Sequence, residues 1–176
     1  MKKFLLLSIT ACALLVSFVQ QAKAQTKKTD ATSAVTVSIQ LDDAISIDLS
    51  GADPGLVEFL YANASDYAAS KSVDKLNQLT VVSNKPYNIS VSATGSFTGT
   101  GSETLGLDIV SVTVVQPASG TATPSVLSGG TILSNASATT TQAFNLRYTI
   151  ADPSSLIAVP AGTYSNATVI YTATQL

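Results

Sequence analysis

Short runs of β-branched and aromatic residues with strictly alternating polarity constrain this chain more than any other feature. Tyr87, Ile89, Val91 and Ala93 alternate with Asn88, Ser90 and Ser92, while Phe144, Leu146, Tyr148 and Ile150 alternate with Asn145, Arg147 and Thr149. Successive side chains of a strand point to opposite faces, so a period of two marks a strand with one face buried. Val35, Val37, Ile39 and Leu41 show the same period against Thr36, Ser38 and Gln40. Ile45, Ile47 and Leu49 resume it after Asp42-Asp43, so one strand continues past a bulge or changes sheet there. The chain closes on a run from Tyr164 through Thr168, Val169, Ile170, Tyr171 and Thr172, which reads as a last strand tying down the C-terminus.

Between these runs the reading is coarser. Leu56 to Tyr61 reads as a short strand, Ala62 to Ser72 as a helical turn or loop, and Leu79 to Ser83 as a strand ending before Asn84-Lys85-Pro86. Gly95 to Glu103 reads as a hairpin-like connection, and Leu107 to Val115 as a strand whose parity fails near Val110-Ser111. Gln116 to Gln142, low in charge and rich in Ser, Thr, Gly and Ala, reads as a surface excursion with weak pairing at Val126-Leu127 and Ile132-Leu133. No amphipathic run is long enough for a major helix. The expected fold is all-β: a single immunoglobulin-like antiparallel β-sandwich of about seven to nine strands over residues 34–176, with Phe144, Tyr148 and Tyr171 inside.

The N-terminus sets the expected location. Lys2 and Lys3 precede an apolar run from Phe4 to Val19, and Ala22-Lys23-Ala24 supplies the small-x-small pattern of signal-peptidase cleavage after Ala24. That run, of about 16 residues, is shorter than the roughly 20 of a membrane-spanning helix. Ile9-Thr10-Ala11-Cys12 offers a lipoprotein alternative, but acylation at Cys12 would leave a hydrophobic stretch in place of a polar tether. A cleaved signal peptide at 1–24 and a polar arm at 25–33 then precede the sandwich, and the protein is expected outside the cytoplasm, extracellular, at the cell surface or in the periplasm.

Export changes the chemistry available. Removing Lys2, Lys3 and Lys23 from the nine basic residues leaves six against eleven acidic ones, a net charge of −5. That balance disfavours nucleic acid and anionic membrane surfaces as partners. Cys12 is the only cysteine, so the mature chain has no disulfide, thiol nucleophile or metal thiolate. The sequence has no His, which excludes Ser-His-Asp and Cys-His catalysis and His-ligated metals. No cofactor is expected.

AFNLRYTI, followed by IAVPAGTYSNATVIYTAT, resembles the closing hairpin of secreted bacterial β-sandwich families: spore-coat-protein-U-like, pilin-like and cell-surface WxL domains. LTVVSNKPYNISVSATG, Leu79 to Gly95, is similar to their central strand pair. The resemblance implies a surface sandwich and no reaction. The chain has no Trp, so wall binding through the WxL tripeptide does not carry over, nor does the disulfide frequent in the other two families.

Candidate sites are few. Asp42, Asp43, Asp48 and Asp53 could supply oxygen ligands to calcium, but their spacing differs from the D-x-[DN]-x-[DN]-G loop, and acids at strand ends are commonly solvated. Phe59, Tyr61, Tyr67 and Phe97 could form a sugar-binding platform or could anchor loops to the core. Four Asn-x-Ser/Thr triplets in so Ser/Thr-rich a chain read as chance. Val35, Val37, Ile39 and Leu41, preceded by a polar arm, form either the first strand of their own sandwich or an exchanged strand filling a neighbour's groove. The expected function is therefore a non-enzymatic structural or adhesive surface protein, pilin-like, partnered by itself or another surface protein. The alternative is a monomeric module binding carbohydrate or protein through its loops.

Overall fold

The computed structural model describes residues 36–99 and 101–176; the expected signal peptide, the polar arm and Val35 lie outside them. Eleven strands follow in chain order among the described residues: β1 Ile45–Leu49, β2 Lys71–Ser83, β3 Tyr87–Thr94, β4 Phe97–Thr98, β5 Thr104–Leu105, β6 Ser111–Val115, β7 Thr121–Ala122, β8 Ser125–Val126, β9 Gly130–Ala136, β10 Thr139–Ile150 and β11 Thr168–Gln175. All pairings are antiparallel. One sheet runs β1-β2-β10-β6-β8, the other β11-β3-β9-β7, and β4 pairs with β5 in a small hairpin. The excess over the expected strand number comes from four strands of only two residues each.

The two sheets share one core, which makes the fold an all-β sandwich. Leu79, Val81, Val112, Val114, Phe144, Leu146, Tyr148 and Ile150 from the first sheet meet Tyr87, Ile89, Val91, Ile132, Leu133 and Ala136 from the second. Alternation does the sorting: in β10 every second residue from Phe144 to Ile150 is buried, while Arg147 on the other face forms a two-pronged ion pair with Asp74 of β2 at 2.6 and 2.8 Å. Burying a side chain such as Leu146 is worth roughly 1.5–3 kcal/mol, so these residues carry much of the hydrophobic stabilisation.

Of four register shifts in the two sheets, two fall at an Asn with positive φ, a conformation that Asn tolerates better than most residues. At Asn77 (φ 52°) the pairing of β2 with β10 shifts, and Gln78 turns into the core beside Leu79. At Asn135 (φ 55°) β9 departs from simple pairing with β3, and a second shift between Leu133 and Thr131 spans Ile132, so that adjacent Ile132 and Leu133 are both fully buried. The expected surface excursion over 116–142 is thus corrected: it contains a core strand whose bulge hides its periodicity. Parity fails before β6 because Leu107–Ile109 is a 3-10 turn that leaves Val110 buried.

Three further expectations need correction. Leu56 to Tyr61 forms no strand, although Val57, Phe59 and Tyr61 pack against the core between exposed neighbours. Tyr171 is half-buried rather than buried, because β11 is an edge strand with a neighbour on one side only. Residues 36–44 belong to no strand, and Val37, Ile39 and Leu41 are 81, 82 and 86 % exposed. They are not the first strand of their own sandwich; that strand is β1. The sandwich unit begins at Leu41, and residues 36–40 belong to the preceding unit.

Candidate assembly surface

Edge strands β1 and β11 lie on the same side of the sandwich, one from each sheet, and a cleft of about 210 Å³ opens between them. Ile47, Asp48, Leu49, Leu79, Val169, Ile170 and Tyr171 line it. In β10 the inward residues from Phe144 to Ile150 are buried, but those of β11 (Val169, Tyr171, Ala173 and Gln175) are all half-buried, and Leu49 of β1 is 56 % exposed. Apolar surface is therefore left uncovered along this side.

One end of the cleft is closed by polar contacts. Gln175 Nε2 lies 2.9 Å from the Ala44 carbonyl, 2.9 Å from Asn84 Oδ1 and 3.1 Å from Ser83 Oγ, which ties the end of β11 to the start of β1. Asn84 also fixes the entry of the chain: Ala44 N–H donates to its Oδ1 at 3.0 Å, and its Nδ2 donates to the Asp42 carbonyl at 2.7 Å. Lys85 adds an ion pair with Asp43 at 2.6 Å. Asn84→Ala removes all three hydrogen bonds of this side chain, to Ala44, Asp42 and Gln175, and is expected to lower stability by about 1 kcal/mol, read as a shift of the urea midpoint at unchanged slope.

Behind the cleft a polar chain crosses the core. The Tyr171 hydroxyl donates to Tyr148 Oη, which donates to Gln78 Oε1 at 2.8 Å, and Gln78 Nε2 donates to the Pro54 carbonyl at 2.7 Å. Burial pushes both phenols above their ordinary pKa, Tyr171 further than Tyr148, whose bonds to Tyr171 and Gln78 partly offset the effect. Both stay protonated at neutral pH and serve as donors, not as bases. The cleft thus offers apolar surface, and among the described residues β11 pairs with β3 alone, which leaves its other edge for backbone hydrogen bonding.

The other candidates are scattered. Asp43 is paired with Lys85, Asp48 sits on β1, and the Asp53 carbonyl accepts from Lys75 at 3.4 Å. Among the described residues no three Asp, Glu, His or Cys groups come together as a metal site. Phe59, Tyr61 and Phe97 pack against the core, and Tyr61 and Tyr67 are neighbours, with ring centroids 5.1 Å apart. Lys71 Nζ stands 4.9 Å from the Tyr61 centroid and pairs with Asp66 at 3.0 Å. The Tyr61 hydroxyl is buried without a hydrogen-bond partner among the described residues.

Asp66 organises this corner. Its carboxylate accepts the N–H groups of Ala62 and Asn63 at 2.8 and 3.0 Å, the arrangement that starts the 3-10 helix Ala64–Ala68. The Asn63 bond first, then Lys71, hold its pKa down to about 2. A carboxyl depressed on folding stabilises above its unfolded value and loses that contribution as pH falls through its folded value. Stability is therefore expected to decline between about pH 4 and pH 2, with Asp66→Asn reducing the decline in an acid titration followed by circular dichroism.

The alternation over residues 35–41 is legible in the sequence; the cleft is not. The available signal was the composition of β11, TVIYTATQ, which has neither Pro nor charge, two of the devices that guard exposed sheet edges. Among the described residues no helix is long and apolar enough to cross a membrane. No protein-family model matches the chain, and no curated protein matches it significantly.

Proposed function

We propose that this chain is an exported, non-enzymatic structural subunit of a cell surface that associates with copies of itself by β-strand exchange. The observation that carries the reading is the coexistence of an unguarded eight-residue edge strand, β11, with an alternating apolar segment whose Val37, Ile39 and Leu41 are exposed in their own chain. Uncovered strand edges and uncovered apolar strand faces are both costly in water, and pairing one with the other satisfies both. The weakly charged Ser/Thr-rich sequence and the signal-like N-terminus support export, and the absence of His narrows catalysis to carboxylates, Lys and Tyr.

The test is a gel of the surface fraction from the native cell, with unheated and boiled samples side by side in SDS, probed for this protein. Strand exchange predicts a ladder that collapses on boiling, because main-chain pairing over a whole strand makes dissociation slow. A single monomer band in both lanes overturns the reading and favours a monomeric binding module.

A further inference from the structure

We propose that an open depression at one end of the first sheet is a binding site for a small organic amine, held as its ammonium. None of its lining residues belongs to β1 or β11, so it is separate from the assembly surface. The depression has a volume of about 330 Å³ and combines two carboxylates and several hydroxyls with an apolar patch, and no aromatic residue, Lys or Arg lines it. Ligand pockets commonly span roughly 300–1,000 Å³, so this one suits a small ligand.

The sheet explains why both carboxylates line one depression. Ser111 of β6 pairs with Thr149 of β10 on one side and with Val126 of β8 on the other, which sets the three in a row across adjacent strands. Thr149 alternates with buried Tyr148 and Ile150, and Ser111 with buried Val110 and Val112, so this row faces outward and forms the floor. Because β6 and β10 are antiparallel, the chain entering β6 and the chain leaving β10 do so at the same end. Asp108 precedes β6 and Asp152 follows β10, one in each wall. Asp152 Oδ1 accepts the Ser154 N–H at 2.9 Å, and the bonds from Ser154 hold its pKa below the ordinary carboxylate value.

The charge balance calls for a cation. Among the described residues Lys71, Lys85 and Arg147 are paired with other carboxylates, and Lys75 reaches the Asp53 carbonyl, whereas Asp108 and Asp152 form no ion pair. Like charges facing one depression repel, and a cation between them relieves the repulsion. The chemistry of the lining selects an organic one. Calcium takes roughly six to eight oxygen ligands, but Ile109, Val126 and Ala151 supply no side-chain oxygen, and among the described residues no three acidic groups come together. A sugar ring would find no aromatic face to lie on. An ammonium instead shares its N–H donors between the carboxylates and hydroxyl oxygens; Ser111 Oγ, which donates to the Thr149 carbonyl at 3.3 Å, keeps its lone pairs for accepting. The alkyl stem then covers Ile109 and Val126, as lysine stems cover apolar surface.

Isothermal titration calorimetry of the full-length chain with cadaverine at low salt tests this. Saturable binding is expected, with none for pentanediol, which has the same stem without the charges. Asp108→Asn and Asp152→Asn should each weaken binding about 10-fold, while Asp48→Asn, on β1, should leave it unchanged. Val126→Lys alters neither carboxylate, sits at a position 37 % exposed, and places an ammonium in the depression itself, so it should abolish binding. Absence of binding, equal binding of pentanediol, or displacement of cadaverine by calcium chloride overturns the proposal. Equal weakening by Asp48→Asn does so too, because it reports only the general attraction of an acidic chain. None of these outcomes touches the heat-sensitive ladder, so strand exchange stands or falls separately.

Discussion

Ile39→Asp is expected to abolish assembly while leaving the fold intact. Ile39 is 82 % exposed in its own chain, so the substitution removes little packing there, and the melting temperature of the dissociated chain should stay within about 2 °C of the parent's. In the cleft the same carboxylate would sit among Leu49, Leu79 and Val169 without a cation. Burying an unpaired charge costs several kcal/mol, and a loss of only about 2.8 kcal/mol weakens association about 100-fold. The heat-sensitive ladder should disappear, and size-exclusion chromatography should give a monomer. An undiminished ladder would remove residue 39 from the interface. Ser38→Asp, on the opposite face of the same strand, should leave a ladder in place.

Tyr148→Phe is expected to be the most destabilising of the conservative polar substitutions in the core. It deletes one oxygen yet strands two partners: Gln78 Oε1 loses its donor and the Tyr171 hydroxyl its acceptor. A buried group left unpaired costs about 1–3 kcal/mol, so a loss of about 2 kcal/mol in urea unfolding is expected. Gln78→Leu in the Tyr148→Phe background should cost less than the two single changes summed, since neither change then leaves the other unsatisfied. An additive cycle would mean that the chain of hydroxyls and amide is not energetically coupled. The same phenols predict an alkaline limit. Burial raises their pKa, so the folded chain keeps protons that the unfolded chain releases, and stability should fall as pH rises past about 10.

The sequence was most informative where burial was one-sided and the strand regular. β3 and β10 follow their alternation closely, and β11 does so with weaker burial. The first half of β2 was missed because Asp74 and Leu76 are exposed and Lys71 and Lys75 fall on the inward parity, a pattern that reads as polar. β9 showed only as weak pairing at Ile132-Leu133, because these adjacent residues are both buried beside a bulge, which no period of two describes. Two segments with strand-like alternation form no ladder. In Leu56 to Tyr61 the pattern records packing against the core without strand pairing. In residues 35–41 it records a face left uncovered within its own chain over the described positions, which a search for intramolecular strands reads as an error. Periodicity reports which side chains avoid water. It does not report which chain supplies the cover, and the cleft is made by two edges distant in sequence, whose one local trace is the lack of charge and Pro in β11.

Amide hydrogen exchange across Thr168–Gln175 in assembled wild-type chains, compared with full-length Ile39→Asp chains, tests the central claim most directly. In an edge strand the alternate N–H groups pointing away from β3 exchange readily, because among the described residues β11 pairs with β3 alone. Assembly along that edge would hydrogen-bond them, so they should exchange about 100-fold more slowly in the wild-type assembly, while the N–H groups facing β3 change little. Equal exchange of the outward amides in both proteins, with wild-type oligomers present, would contradict strand addition at β11.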